Sequence, residues 1–369
     1  EYPFVTPTDI NDGYKIKETE RSLSESGLLK VRPIPSGSTL FTCIGYIGKT
    51  ALADKKLATN QQINSVIPDL KIVHPFFLYY VLSYKSNYIK SLASIQTLPI
   101  INKTTFESFV LEIPPLTEQK KIAAILCTWD DAIEKTQGII NAKEKRFSHL
   151  VRTLLQPKNR SNKTSTEFKN IFKPFKEVNH DSADIEVLSV TKNGIVSQSE
   201  YFNKDIASLD RSNYLIVRQN MLVMSGLNFW MGAIDFQTIR EKGIVSPAYK
   251  TFKIINNNFD FDYLHFFIRS PYMTKILLNC SVQGASIVRR NMDTELLMNA
   301  VIPAPELAQQ KSIAKILNSA KKEIDIHKIL LKQYKDQKRG LMQKLLTGAW
   351  PVQADSSEES SNKKEKKHA

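Results

Sequence analysis

The run Gln119-Lys120-Lys121-Ile122-Ala123-Ala124-Ile125-Leu126 returns 191 residues further on as Gln310-Lys311-Ser312-Ile313-Ala314-Lys315-Ile316-Leu317. Working outward, Val110 to Pro157 lies without a gap on Val301 to Gly348. Prolines lead into both copies, in Pro114-Pro115-Leu116 and Pro305-Glu306-Leu307. At the far end, Leu150-Val151-Arg152-Thr153-Leu154-Leu155 returns as Leu341-Met342-Gln343-Lys344-Leu345-Leu346. A gapless match of this length argues for a duplicated structural unit rather than two unrelated amphipathic helices.

Spacing gives the local structure. Ile122, Ile125, Trp129, Ile133, Ile140, Phe147, Leu150 and Leu154 fall mostly at alternating steps of three and four, and Ile313, Ile316, Ile324, Leu331, Leu341 and Leu345 repeat the pattern. That is a helix carrying a narrow apolar seam of the coiled-coil kind. Proline in the first turn and no Pro or Gly cluster inside favour one long element per copy, stopped by Pro157 in the first and Gly348 in the second. About forty residues at roughly 1.5 Å rise make a rod of ~60 Å. An apolar seam does not stay in water, so the simplest partner for each helix is the other, and the sequence alone allows parallel or antiparallel pairing.

The two copies, with the closing Leu345-Leu346-Thr347-Gly348, resemble the conserved regions of the specificity (S) subunit of type I restriction-modification systems. The likeness covers nearly the whole chain and its order of variable domain, helix, variable domain, helix. The second copy departs in having Ala308-Gln309-Gln310 where the family favours Glu-Gln, which bears on the cap geometry there. The resemblance implies an α+β chain in which two mixed α/β target-recognition domains are separated by two long antiparallel coiled-coil helices with an internal pseudo-twofold repeat. It implies a target-recognition domain over 1–109, a central spacer helix over 110–156, a second target-recognition domain over 157–299, a distal spacer helix over 300–350 and a disordered tail over 351–369. It further implies double-stranded DNA, two methyltransferase subunits and restriction subunits as partners. S-adenosylmethionine, and ATP with Mg, are then expected on those partners, with no cofactor in this chain.

Composition agrees with a DNA-bound partner. The chain has 369 residues, 42% hydrophobic and 24% charged, enough for two or three cores. Its net charge of +14 favours a polyanion, nucleic acid before membrane, because no basic amphipathic helix with a bulky lipid-facing side is evident. Cys43, Cys127 and Cys280 are far apart and odd in number, which suits a reducing compartment and offers no metal spacing. No run approaches the roughly eighteen apolar residues of a membrane span, and no signal peptide is present, so cytoplasmic is the default. The chain opens at Glu1 without methionine, and comparison of the halves suggests that the first is shorter at its start by about twenty residues. Processing, a fragment and a naturally short start would all look alike.

Within the variable halves, Thr39 to Ile44 and Ile63 to Ile67 read as strands bounded by Gly37, Gly45 and Pro68, followed by a helix from Pro75 to about Ser91 whose aromatics read as core. The second half repeats the plan with Asn220 to Met224, Ala248 to Ile254 and a helix from about Phe261 to Leu278. Gln156 to Ser165 reads as a polar linker, and the end from Asp355 as a disordered tail.

The search for catalytic chemistry is mostly negative. Gly45-Tyr46-Ile47-Gly48-Lys49-Thr50 ends like a phosphate-binding loop, but Cys43 stands where that loop needs its first glycine. No Gly-x-Gly-x-x-Gly follows a strand, no Asn-Pro-Pro-aromatic quartet of amino-methyltransferases occurs, and the six histidines are dispersed without triad or metal spacing. The candidates that remain are for DNA. In the first half Lys49, Lys55 and Lys56 stand beside Asn60, Gln61 and Gln62, whose amides can pair with adenine edges. In the second, Arg240, Lys242, Gln283, Ser286, Arg289, Arg290 and Asn291 have the same character. The expectation is a non-catalytic specificity subunit with no metal site. The rivals are an enzyme with an unfamiliar site, a stand-alone DNA-binding protein, and a coiled-coil adaptor, the last of which would leave the charge unexplained.

Overall fold

The computed structural model describes residues 1–11, 13–93, 99–156, 165–180, 185–202, 211–283 and 290–352. The interior of the expected linker and all but the first two residues of the expected tail lie outside these. Contacts divide the chain into two units, Glu1–Ile140 with His327–Ala369, and Asn141–Ile326. Each unit takes one part of each long helix, the first running Leu116–Leu154 and the second Leu307–Leu346.

The first unit is built on a sheet in the order Lys15–Ile16, Thr50–Ala53, Thr39–Thr42, Ile63–Val66, the last three antiparallel. Thr39–Thr42 is buried throughout, and its alternation sends Leu40 into a cluster with Val5, Ile16 and Ile63 while Phe41 joins Leu78, Leu82 and Ile89 on the other face. The expected helix after Pro75 is in fact two, Pro75–Tyr84 and Ser86–Ser91, broken at Lys85. Tyr79 and Tyr80 turn toward the long helices and pack with Ile122, Ala123, Leu126 and Leu345.

The second unit has an antiparallel sheet in the order Ile234–Phe236, Leu222–Met224, Lys250–Ile254, Phe172–Pro174. Its expected helix is likewise two, Phe261–Ile268 and Pro271–Asn279, because Ser270 caps a fresh helix whose first residue is proline. Phe168, Phe172, Leu264, Ile313 and Leu317 belong to one core cluster. The left-handed turn before the central strand is the same in both units, at Gly37 (φ 84) and Asn220 (φ 65).

Within each unit the helix segments run antiparallel, which the sequence alone left open. In the first, the Trp129 and Tyr334 rings meet edge-on at 5.7 Å and Lys338 Nζ stands 2.6 Å from Asp130 Oδ1. In the second, Lys143 Nζ stands 2.6 Å from Glu323 Oε2. Early residues of one helix therefore meet late residues of the other. Among the expected seam residues, Ile122, Ile140, Ile313, Ile324 and Leu345 are buried, and Trp129, Ile133, Phe147, Leu150, Leu154, Leu331 and Leu341 are half-buried. Ile125 and Ile316 are a correction: they are 37% and 43% exposed, and the inward places beside them belong to Leu126 and Leu317. Each helix meets an α/β unit as well as its partner helix, so its buried stripe swings off a strict seam.

Candidate nucleic-acid interface

The position of each α/β unit on the helices is set by a glutamine that opens the repeated run. Gln119 is buried; its Oε1 accepts the His74 N–H at 2.8 Å, and its Nε2 donates to the carbonyls of Ile72 (2.9 Å) and Pro114 (2.8 Å). Gln310 is buried in the same way, accepting from Asp260 N–H at 2.9 Å and donating to Asn258 (3.2 Å) and Pro305 (2.8 Å). In both units the glutamine therefore ties the proline lead-in to the segment just before the first α/β helix.

A second polar device belongs to the first unit. The buried Tyr80 hydroxyl donates to Asp130 Oδ2 at 2.6 Å, and Lys338 completes the group through the other carboxylate oxygen. Burial first, then the Asp130 charge and hydrogen bond, push the Tyr80 hydroxyl well above its ordinary value. Repeat positions place Phe266 where Tyr80 stands and Phe147 where Lys338 stands, and there the two rings meet edge-on at 6.2 Å. One unit has an apolar solution and the other a polar one at the same place.

Near the sheet end of the first unit, Asn60 and Gln62 line a cleft of about 210 Å³ together with Thr8, Arg21 and Tyr46. Asn60 shapes it as a turn, its side-chain oxygen accepting from Gln62 N–H at 3.1 Å and its amide donating to Gln62 Oε1 at 2.9 Å. Asp9, also on the cleft, has its carboxyl held below the ordinary value: burial alone would raise it, but hydrogen bonds from Glu20 N–H and from Thr6 outweigh that. Lys49 is not a free cation, since its ammonium donates to the Pro7 and Ile10 carbonyls at 3.1 and 2.9 Å and so ties the loop to the chain start. Lys55, Lys56 and Gln61 are exposed. Sequence reading missed Arg21 and Tyr46, which belong to the site only through the fold.

In the second unit the buried Gln237 holds the turn that carries Arg240, donating to the Arg240 carbonyl at 2.7 Å and accepting from the N–H groups of Ile239 and Arg240. The Arg240 guanidinium pairs with Glu186 and, at 3.1 Å, with Glu200. The Glu186 carboxyl is lowered by its hydrogen bond from Arg240 and then by that from Ser197. Arg290 packs on the Trp230 ring at 4.9 Å and donates to Ser281 Oγ at 3.0 Å. Lys242 and Asn291 are exposed. Ser286, Arg289 and the side chain of Gln283 lie outside the described residues. Phosphate binding by Lys49, Arg240 or Arg290 would require an exchange of internal partners.

Among the described residues no group of three or more His, Cys, Asp and Glu could hold a metal ion, and no helix is long and apolar enough to cross a membrane. The geometry is that of a duplicated helix pair with an α/β unit clamped to each end segment by a buried glutamine. Residues 1–145 match the family model of the type I restriction modification DNA specificity domain. Over 94% of this chain and 85% of its relative, the sequence is 24% identical to the type I restriction enzyme MjaVIII specificity subunit of Methanocaldococcus jannaschii. It is 33% identical to the HindI specificity subunit of Haemophilus influenzae over 42% of this chain and 34% of that one. The crystal structure of the type I restriction-modification S subunit from M. genitalium has the same fold, with a TM-score of 0.53 at 16% identity over 94% of this chain and 88% of that one. The chain is therefore similar over most of its length to specificity subunits of type I restriction-modification systems, and its residues 1–145 carry the match to their DNA specificity domain.

Proposed function

We propose that each α/β unit reads one half of a split site in double-stranded DNA, and that the long helices dock two methyltransferase subunits, to which restriction subunits add. The observation that carries this reading is the repeated Gln119 and Gln310 clamp, which seats two α/β units of one plan but different surface on one duplicated helix pair. A common seat with different surfaces suits two readers with different targets. In the first unit, Asn60 and Gln62 supply amides suited to adenine edges, with Arg21 beside them for phosphate or guanine. Ile125 and Ile316 hold the same place in the repeat and are both exposed, a pair of apolar contacts for two copies of one partner. The chain itself is non-catalytic. S-adenosylmethionine, and ATP with Mg, belong to the partners, and the assembly works in the cytoplasm. A stand-alone DNA-binding protein leaves the paired exposed isoleucines without use and a coiled-coil adaptor leaves the net charge of +14 unexplained, so neither is favoured.

The test is reconstitution. The purified chain alone is expected to bind duplex DNA weakly, with affinity falling steeply with salt, and to methylate or cleave nothing; adding the methyltransferase subunits and S-adenosylmethionine yields sequence-specific methylation. Turnover by the isolated chain would overturn the reading.

A further inference from the structure

The positive charge of the chain is unevenly placed. The second long helix, Leu307–Leu346, carries ten Lys and Arg against three Asp and Glu, while the first, Leu116–Leu154, carries seven against five. Half of the net charge of +14 therefore sits on one helix. Residues 1–109, by contrast, hold twelve against nine and are close to balanced.

In the part of that helix that belongs to the first unit, Lys328, Lys332, Lys335 and Arg339 follow one another at steps of four, three and four, and all are exposed. At 3.6 residues per turn the four share an arc of about 60°, in a row ~16 Å long. Like charges three and four residues apart repel, so the row weakens the helix that carries it. Asp336 is the one acid between His327 and Leu346, and it pairs with Arg339 at 3.0 Å. On the facing stretch of the first helix the carboxylates are engaged, Asp130 by Tyr80 and Lys338, Asp131 by the Tyr14 hydroxyl and Glu134 by Lys17. The repeat shows that a long helix of this plan does not need the row. The same four positions of the first helix hold Gln137, Asn141, Glu144 and Ser148. Its own cations at that end, Lys143, Lys145 and Arg146, fall at other positions of the turn.

A partner bound in two equal copies would meet the same surface twice, as Ile125 and Ile316 offer it. The row is offered once. Its single sign, even spacing and lack of an apolar anchor on the arc suit a line of regularly spaced negative charge, whereas the centre of a protein interface is rich in aromatic residues and poor in charge. We propose that Lys328, Lys332, Lys335 and Arg339 seat the phosphate backbone of duplex DNA, independently of sequence and outside the α/β units. The contact goes beyond base reading by the loops: it adds affinity and salt dependence, and leaves the choice of motif to the α/β units.

The test measures binding of the full chain to a labelled duplex of random sequence over a range of salt concentrations. The slope of log affinity against log salt changes by roughly 0.9 for each phosphate contact, so a variant with all four cations changed to Gln should lose about 3 to 4 from its slope. That variant should stay folded, with a thermal midpoint no lower than that of the parent, because it removes only repulsion. A control with Lys71, Lys90, Lys145 and Arg146 changed to Gln removes the same charge from other exposed places and should keep most of the slope. The Asn60→Ala, Gln62→Ala chain should keep it as well, which tells a failure of the row from a failure of base reading. An unchanged slope in the row variant would overturn the proposal, and loss of methyltransferase capture beside it would give the row to a protein partner. An equal fall in the control would overturn it too, since net charge alone would then set the slope.

Discussion

Gln119 accepts the backbone N–H of His74 on its side-chain oxygen at 2.8 Å, joining the start of the first long helix to the start of the first α/β helix. With its two donated bonds, this one buried side chain satisfies three backbone groups. Replacing Gln119 with leucine keeps the size and removes all three bonds, leaving groups whose desolvation costs ~1–3 kcal/mol each. A loss of about 3 kcal/mol is expected for the first unit, and Gln310→Leu is expected to act equally on the second. Amide exchange resolves the two: Gln119→Leu should release the amides around His74 and spare those around Asp260. Equal loosening of both units by either substitution would contradict the account.

The Asp130 and Lys338 pair gives a stability test with a built-in control. Both partners are largely buried, so Lys338→Met strands a carboxylate and should cost roughly 3–5 kcal/mol. The combined Tyr80→Phe, Asp130→Leu and Lys338→Met variant copies the apolar solution of Phe147 and Phe266, and should recover most of that loss. Urea midpoints decide it. A triple variant as unstable as the single one would show that the polar group is needed for more than pairing.

What could be read in the sequence, and what could not, divides along physical lines. The long helices were legible because the 3.6-residue period and proline lead-in are local, and the strands because Thr39 to Ile44 and Leu222 to Met224 are short apolar runs between turn residues. Ile125 was misplaced because Ile125 and Leu126 are both apolar, so period alone cannot say which one faces inward. Gln119 was visible as a repeated residue, but its role depends on backbone groups brought close by folding. The basic candidates read from the sequence as DNA-facing loop residues, and their internal partners could not be read there. Arg240 meets Glu186 from 54 residues away and Lys49 meets carbonyls about forty residues away, and neither pairing leaves a local signal.

The pH dependence is fixed on the alkaline side. Burial pushes the Cys43 thiol up to about 11 from its ordinary 9.0. Above pH 9 the unfolded chain gives up that proton while the folded one keeps it, so stability falls between pH 9 and about 11. Tyr79 and Tyr263, also raised by burial, act with the same sign at higher pH. Urea titrations at pH 8 and 10.5 should show the loss, and Cys43→Ala should reduce it, the rest coming from the Cys127 and Cys280 thiols, which burial also raises. An unchanged slope in that variant would remove Cys43 from the explanation.

Ile125→Asp and Ile316→Asp separate docking from folding. The side chains are 37% and 43% exposed, so each change should cost no more than about 1–2 kcal/mol and leave the chain folded. Each should weaken capture of a methyltransferase subunit, and the double variant should capture none. Retention of both subunits by the folded double variant would move the docking surface elsewhere on the helices.

The central claim is that the two α/β units choose the DNA sequence that the partners modify. Genome-wide mapping of methylated bases, in cells carrying the intact chain or the Asn60→Ala, Gln62→Ala variant together with the methyltransferase subunits, tests it most directly. The account predicts a split motif that depends on this chain, and a variant that relaxes or changes one half of that motif while the other half stays as it was. A motif that persists without the chain, or one whose two halves respond alike to the first-unit substitutions, would contradict it.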